Sequence, residues 1–126
     1  MASTALGMSR GTLVQALTGG AVVFGAAGVL APRALGATYG VPPTPHTTQL
    51  LRLFGSRMLA LAAWSSTART REETDRMLAV SAGMNVVDTL TALGSAQAIG
   101  RATAMRAAAT SAFFAAFSLV VRSLED

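Results

Sequence analysis

Two opposite charges, Arg57 and Asp88, lie in long apolar stretches of the sequence, where ionised side chains are unusual. Arg57 precedes Ala68, the expected end of one helix, by eleven residues, and Asp88 follows Met77, near the expected start of the next, by eleven residues. At a rise of about 1.5 Å per residue, both charges are roughly 16 Å from the turn that joins these helices. Antiparallel packing would bring them to the same height, and we expect an ion pair.

Such a pair could carry chemistry. The Asp88 carboxylate could give or take a proton, and the Arg57 guanidinium could stabilise a negative charge that develops on a substrate, so these two are the candidate catalytic residues. A buried ion pair can also serve only to fix which helices pack together and in which register. The sequence leaves three outcomes open: a structural pair, a ligand or proton site, or two side chains that do not meet.

Polar residues extend the candidate site along both helices. The helix with Asp88 carries a stripe of polar or small residues that we expect to face the other helices. Its members are three or four residues apart and so share one helix face: Ser81, Asn85, Asp88, Ala92 and Ser95. A second stripe on the Arg57 helix joins His46, Leu50, Leu53 and Arg57, with Gln49 and Ser56 to one side. Tyr39 could cover the mouth of this track or anchor at the membrane interface. The candidate ligand-binding residues are therefore Asn85, Gln49, Ser56, His46 and Tyr39.

Other chemistries lack their residues. The chain has no cysteine and a single histidine, so we expect no metal site and no disulfide. All of its basic residues are arginines, which excludes the usual lysine-bearing phosphate loop, and no dinucleotide-binding fingerprint is present, so no cofactor is expected. The arginines are scattered at the expected helix ends and do not form a stripe with aromatic residues. Nucleic acid is therefore not an expected partner.

The composition favours a membrane protein. Of 126 residues, 52% are hydrophobic and 13% are charged, the mean hydropathy is +0.49 and the net charge is +4, whereas an average soluble domain has about 25% charged residues. Residues 11–32 contain no charge, which matches the roughly 20 residues that a helix needs to cross a bilayer. A cleaved signal peptide is the alternative, but its apolar region is usually only about 7 to 15 residues long. The lipid bilayer is thus an expected partner.

Four helices are predicted, at about 11–31, 45–68, 71–99 and 102–123, and residues 33–44, rich in glycine and proline, are predicted to form a loop. Thr44 followed by Pro45 is typical of a helix start, and Thr70 with Glu73 matches the capping box. Since the later connections are short, the prediction is a single all-α domain over 1–126, an up-down-up-down bundle of four transmembrane helices.

Arginine positions suggest an orientation in a bacterial cytoplasmic membrane. One side of the bundle would hold five arginines, namely Arg10, Arg69, Arg71, Arg76 and Arg122. The other would hold three, namely Arg33, Arg101 and Arg106. By the positive-inside rule both termini are expected in the cytoplasm. Arg52 is expected to extend toward headgroups, and Arg106 either does the same or points inward. Small residues four apart, Ala21 with Gly25 and Ala108 with Ala112 and Ala116, are expected to mark helix contacts.

The segment from Gly55 to Leu59 has the form G-x-R-x-L. Together with the Gly/Pro loop and Asp88 on the third helix, it resembles small bacterial four-helix membrane proteins of unknown function. That resemblance covers the whole chain and implies a membrane-embedded bundle without an assigned reaction. The chain is also weakly similar to small multidrug transporters. Those proteins carry an essential acidic residue on the first helix, and the first helix of this chain has none.

Three functions remain open. The first is the binding of a lipophilic or amphipathic small molecule, or of a partner, at Arg57 and Asp88, because pockets between bundle helices are common. The second is a membrane-embedded isomerase or cyclase with Asp88 as general acid or base. The third is a proton-coupled exporter that uses Asp88, and a homodimer is an open alternative for its assembly. The sequence does not decide whether the chain is an enzyme.

Overall fold

The computed structural model describes residues 2–125, and this part of the chain is all-α apart from one short hairpin. The hairpin pairs β1 (Thr4–Ala5) with β2 (Met8–Ser9). The helices are α1 (Arg10–Leu30), α2 (Pro32–Tyr39), α3 (Pro45–Thr67), α4 (Arg71–Gly94), α5 (Ala96–Ile99) and α6 (Arg101–Ser123). The all-α prediction is confirmed.

Both predicted capping motifs are present. The Thr44 side chain accepts a hydrogen bond from the Thr47 backbone N–H, and Pro45 occupies the first turn of α3. At the start of α4, the Thr70 hydroxyl accepts from the Glu73 N–H at 3.1 Å, and the Glu73 carboxylate accepts from the Thr70 N–H at 3.0 Å. These contacts satisfy backbone donors that the first turn of a helix leaves without partners, so each start is fixed locally.

The prediction of a loop over residues 33–44 is wrong for its first part, which forms α2. Pro32 fits the first turn of α2, and Gly40, at φ +73°, ends the helix in the left-handed conformation. Gly36 lies inside α2, where a β-carbon would come within 3.0 Å of the Leu51 side chain. The glycines that predicted a loop are therefore a helix cap and a packing position.

The predicted third helix over 71–99 also differs from the structure, because α4 ends at Gly94 and the short α5 follows Ser95. Ser95 leaves the helical conformation, with φ −96° and ψ 5°. At the amino terminus, Leu6 and Gly7 both adopt positive φ angles, 53° and 74°, between the strands of the hairpin. Positive φ at both central residues is the geometry of the tight turn that suits the twist of two antiparallel strands.

The long helices pack mainly in two pairs, α1 with α3 and α4 with α6. In the first pair the backbones meet at glycines: a β-carbon on Gly55 would lie 2.6 Å from the Gly25 carbonyl oxygen, and one on Gly28 would lie 2.7 Å from the Leu51 carbonyl oxygen. The predicted contact at Ala21 and Gly25 agrees with their burial. Only residues without a side chain permit so close an approach.

The α4–α6 pair differs from its prediction. Ala108 is buried, but Ala112 and Ala116 are exposed, so the stripe of three alanines does not mark the contact. The buried face of α6 is instead formed by Ala104, Ala108, Ala115, Ser118 and Val121. Ser118 and Ser81 of α4 are fully buried, and their hydroxyls lie 3.0 Å apart. A hydrogen bond between buried hydroxyls therefore helps to join these helices.

The largest apolar core lies in the half of the bundle that contains both chain ends. It joins the first turns of α1 and α4 to the last turns of α3 and α6, through Leu13, Leu17, Ala21, Met58, Leu61, Ala62, Met77, Leu78, Val121 and Leu124. The Glu125 N–H donates to the Ala2 carbonyl at 3.1 Å, which ties the two chain ends together. All four long helices therefore contribute to the core at this end.

Three helices, α1, α4 and α6, are long and apolar enough to span a membrane. Helix α3 is as long, but it carries both Arg52 and Arg57. Large apolar side chains lie on the outside of the bundle, among them Val23 (67% exposed), Leu90 (64% exposed) and Phe113 (61% exposed). An outer surface of this kind suits hydrocarbon better than water and points to a membrane protein.

Candidate functional site

Arg57 of α3 and Asp88 of α4 form an ion pair, in which Arg57 Nη2 donates to Asp88 Oδ2. The two charges therefore meet, as the equal spacing from the turn indicates. The Arg57 side chain is 41% exposed and that of Asp88 is 27% exposed. The pair thus lies at the surface of the bundle, although the stripe that contains Asp88 is expected to face the other helices.

The exposure follows from the helix pairing. The buried face of α3 contains Gly55 and Met58 and packs on α1, whereas the buried face of α4 contains Ser81 and Asn85 and packs on α6. Helices α3 and α4 contact each other far less than they contact these partners. The boundary between α3 and α4 is therefore loosely packed, and the ion pair of Arg57 and Asp88 bridges it. We call this boundary the α3–α4 groove.

Asn85 does not face this groove. It is 7% exposed, and its side-chain amide donates to the Ser81 carbonyl at 2.9 Å, one turn earlier on α4. Ser81 in turn lies against α6 through its contact with Ser118. Within the predicted polar stripe of α4, Ser81 therefore serves the packing on α6, whereas Asp88 contacts α3.

The predicted polar track on α3 faces outward. His46 is exposed in the first turn, and Leu50 and Leu53 are 64% and 55% exposed. Gln49 and Ser56 are exposed as well, and Ser56 is the one adjacent to Arg57 in the chain. The glycine face of α3 packs closely on α1 and sets the rotation of the helix, so this stripe lies on the outside.

Tyr39 lies apart from the ion pair. It ends α2, and its hydroxyl donates to Thr110 Oγ1 of α6 at 3.0 Å. It also lines a cavity of about 230 Å³ between α2, α3 and α6, together with Leu51 and Phe54. Tyr39 therefore connects α2 to α6, and the structure does not place it over Arg57 and Asp88.

The site can hold charged groups through Arg57 and Asp88. The Arg57 guanidinium has five N–H donors in a planar fork, and the Asp88 carboxylate has several acceptor positions. An anionic head group could bind the exposed side of Arg57, and a cationic one could bind Asp88. Within residues 2–125, no three histidine, cysteine or acidic side chains are grouped to hold a metal ion.

The structure contains a second ion pair between helices that the sequence did not predict. Arg10, at the start of α1, pairs with Asp75 of α4, and its side chain is only 5% exposed. Arg10 Nε also donates to the Val121 carbonyl at 3.4 Å, and Arg71 Nη2 donates to the Leu124 carbonyl at 2.6 Å. Opposite charges four residues apart within residues 69–76 predict a solvated helix start, but Asp75 of this segment contacts the buried Arg10. The available signal was that Asp75 precedes the apolar Leu78 by three residues and so shares its buried face.

The remaining ion pairs of residues 69–76 join opposite charges four residues apart, as their spacing predicts. Arg76 pairs with Glu72 at 3.1 Å and Arg71 lies 3.8 Å from Asp75, each four residues apart on α4.

Comparison of the chain with protein-family models, with curated proteins and with solved structures finds no match.

Proposed function

We propose that this chain is a small integral membrane protein that binds a lipophilic or amphipathic molecule, or a partner, in the α3–α4 groove at Arg57 and Asp88. The membrane location is supported by the three apolar helices and by the apolar outer surface. The function rests on one observation: the ion pair lies partly exposed within helices whose outer faces are apolar.

In this proposal α1, α3, α4 and α6 cross the membrane in an up-down-up-down order. Contacts among Arg10, Asp75 and Val121 group the starts of α1 and α4 with the end of α6, which supports this order. For α3, the ion pair with Asp88 and the close packing on α1 reduce the penalty of an arginine in the span. We place the protein in a bacterial cytoplasmic membrane with both termini in the cytoplasm.

The free-energy cost of exposing a charged pair to hydrocarbon favours a molecule bound over it. A charged residue at the centre of a spanning helix costs roughly 2.5–3.5 kcal/mol on insertion scales, and such residues usually face the protein interior or water. Leu53 lies one turn before Arg57 on α3 and is 55% exposed, so apolar surface adjoins the charge. An amphipathic molecule would cover the leucine with its chain and the charge with its head group.

The sign of the head group's charge follows from the relative exposure of the two side chains. The Arg57 side chain is more exposed than that of Asp88, so its N–H donors are more accessible to a ligand than the carboxylate oxygens are. We therefore expect a carboxylate head group on a long alkyl chain to bind better than an ammonium head group. This choice makes the proposal testable with two simple amphiphiles.

The test uses the full chain, purified in non-ionic detergent, with a photoreactive fatty acid and a photoreactive long-chain amine as probes. We expect the fatty acid to label peptides of α3 and α4. Arg57→Gln should reduce that labelling by about tenfold, the loss of roughly one charge-assisted hydrogen bond. Asp88→Asn should increase it, because the competing carboxylate is removed.

Arg101→Gln is the matched control, since it removes an exposed arginine at the start of α6, outside the groove. Its labelling of α3 and α4 should equal that of the native chain. Labelling of α3 and α4 that is unaffected by all three substitutions would contradict the proposed site. Preferential labelling by the amine that is lost in Asp88→Asn would support the groove as the binding site but would show that its ligand is cationic.

A further inference from the structure

A second cleft lies at the end of the bundle opposite the chain termini, between the α1–α2 junction and the start of α3. It has a volume of about 600 Å³. Two arginines line it, Arg33 in the first turn of α2 and Arg52 in the second turn of α3. We call it the Arg33/Arg52 cleft. Arg52 is rotated by roughly 140° from Arg57 on α3, so the cleft is separate from the α3–α4 groove.

Neither arginine is neutralised within residues 2–125. The ion pairs of that region involve other arginines, namely Arg10, Arg57, Arg71 and Arg76. No hydrogen bond from the Arg33 or Arg52 side chain to a described residue is present. The polar and apolar residues that complete the cleft include no acidic side chain. Two guanidinium groups therefore share a cleft without a counter-charge from the described chain.

Over the whole bundle, too, the described carboxylates lie mainly away from the cleft. Glu72, Glu73 and Asp75 lie in the first turns of α4, and Glu125 lies beside Ala2 at the end that contains the termini. Asp88, the remaining described carboxylate, is bound to Arg57. The opposite end holds Arg33, Arg52, Arg101 and Arg106 and no described carboxylate other than that paired one. The net positive charge of the described chain is therefore concentrated at the end of the bundle that contains the cleft.

The remaining lining groups suit an anion attached to an apolar chain. The Arg33 and Ala34 backbone N–H groups donate to no described residue outside α2, because this helix begins without a side-chain cap. The Thr48 hydroxyl supplies a further polar group, and Leu30, which is 81% exposed, supplies an apolar wall. Guanidinium groups bind phosphate through paired N–H donors.

We propose that the Arg33/Arg52 cleft binds a phosphate group, carried either by an anionic phospholipid or by a soluble phosphate compound. Basic pockets between membrane helices commonly bind phospholipid head groups. The lipid source depends on the membrane location proposed above, whereas phosphate binding itself does not. The cleft is independent of the ligand site at Arg57, so either proposal can fail without the other.

The experiment uses the full chain in non-ionic detergent and measures binding of phosphatidylglycerol and of inorganic phosphate separately by native mass spectrometry. The variants are Arg33→Gln, Arg52→Gln and their combination. Each single substitution should weaken binding by about tenfold and the double one by more, since each removes a charge-assisted contact. The thermal unfolding of the variants should match the native chain, because both side chains are exposed.

Arg101→Gln is the control, because it lowers the charge of the same end without lining the cleft. It should change binding by less than about twofold, as expected for a screened surface charge. Binding of phosphatidylglycerol alone that depends on Arg33 and Arg52 would identify a lipid site, and such binding of inorganic phosphate would identify a soluble source. Absence of binding by both probes, or an equal loss in Arg101→Gln, would overturn the proposal.

Discussion

At the scale of single residues, glycine decides how α1 and α3 meet. Gly25, Gly28 and Gly55 bring the two backbones together, and a β-carbon at any of them would lie under 3 Å from atoms of the opposite helix. Gly55 belongs to the same short segment as Arg57. The glycine face therefore turns α3 so that Arg57 points to the groove, and the position of the charge depends on an uncharged neighbour.

Gly55→Ala should lower the free energy of unfolding by about 1–3 kcal/mol, the usual penalty for overpacking. The β-carbon would meet the Gly25 carbonyl oxygen at 2.6 Å and the Val29 nitrogen at 2.8 Å, and neither backbone atom can move freely. Gly19→Ala is the control, because its β-carbon would meet no atom within 4 Å. That control should gain roughly 0.5–1 kcal/mol from helix propensity. Denaturant unfolding in detergent gives both values, and equal effects would refute the close crossing.

The buried Arg10 provides a second residue-scale prediction. Arg10→Met should lower the free energy of unfolding by about 1–3 kcal/mol, because Asp75 loses a buried partner and the Val121 carbonyl loses a donor. Arg76→Met is matched to it on the exposed pair with Glu72, where the side chains are 65% and 83% exposed. An exposed pair contributes at most about 0.5 kcal/mol on a helix. Indistinguishable thermal unfolding of the two variants would show that Arg10 has no special role.

At the scale of elements, the helix starts are determined by short local motifs, and the helix contacts are not. Thr44 and Thr70 begin α3 and α4 through hydrogen bonds within three residues of themselves. In contrast, α2 has a glycine in its interior and forms because Leu35 and Gly36 pack into the fold. A pattern of glycines cannot distinguish a turn from a packing position without the neighbouring helix.

Thr70→Ala should lower the free energy of unfolding by about 1 kcal/mol, because the Glu73 N–H at the start of α4 loses its acceptor. Thr70→Ser keeps the hydroxyl and should remain close to the native value. Chemical denaturation of the two variants measures the difference. A serine variant as unstable as the alanine variant would mean that the methyl group, and not the hydrogen bond, carries the effect.

At the scale of the whole molecule, the pairing of helices places the ion pair and the chain ends. The core joins all four long helices near the termini, whereas α3 and α4 remain apart elsewhere and leave the α3–α4 groove. The proposed four-span order predicts that both termini lie on one side of the membrane and the α2–α3 connection on the other.

Labelling of single cysteines checks this arrangement, since the native chain has none. Ser3→Cys, Pro43→Cys and Ser123→Cys introduce thiols at exposed positions. In intact spheroplasts, a membrane-impermeant maleimide should label only the position at 43, and the other two should react after the membrane is opened. Labelling of the positions at 3 and 43 from the same side would contradict the four-span order.

The sequence by itself determined the class of the fold and the ends of most helices. Apolar length and low charge require helices whose backbone groups bond internally, and capping residues such as Thr44 and Thr70 act over a few residues. The equal spacing of Arg57 and Asp88 from one turn was likewise a local property. Each of these features depends on neighbours along the chain, so a single sequence is sufficient to predict it.

Only the tertiary structure decided which faces are buried. Glycine contacts between α1 and α3 turned His46 and Leu53 outward, and the packing of α4 on α6 took Asn85 away from the groove. It also paired Arg10 with Asp75, two residues 65 positions apart in the chain. The rotation of a helix in a bundle depends on the shape of every neighbour at once, and an apolar sequence offers several faces of similar hydrophobicity among which only packing can choose.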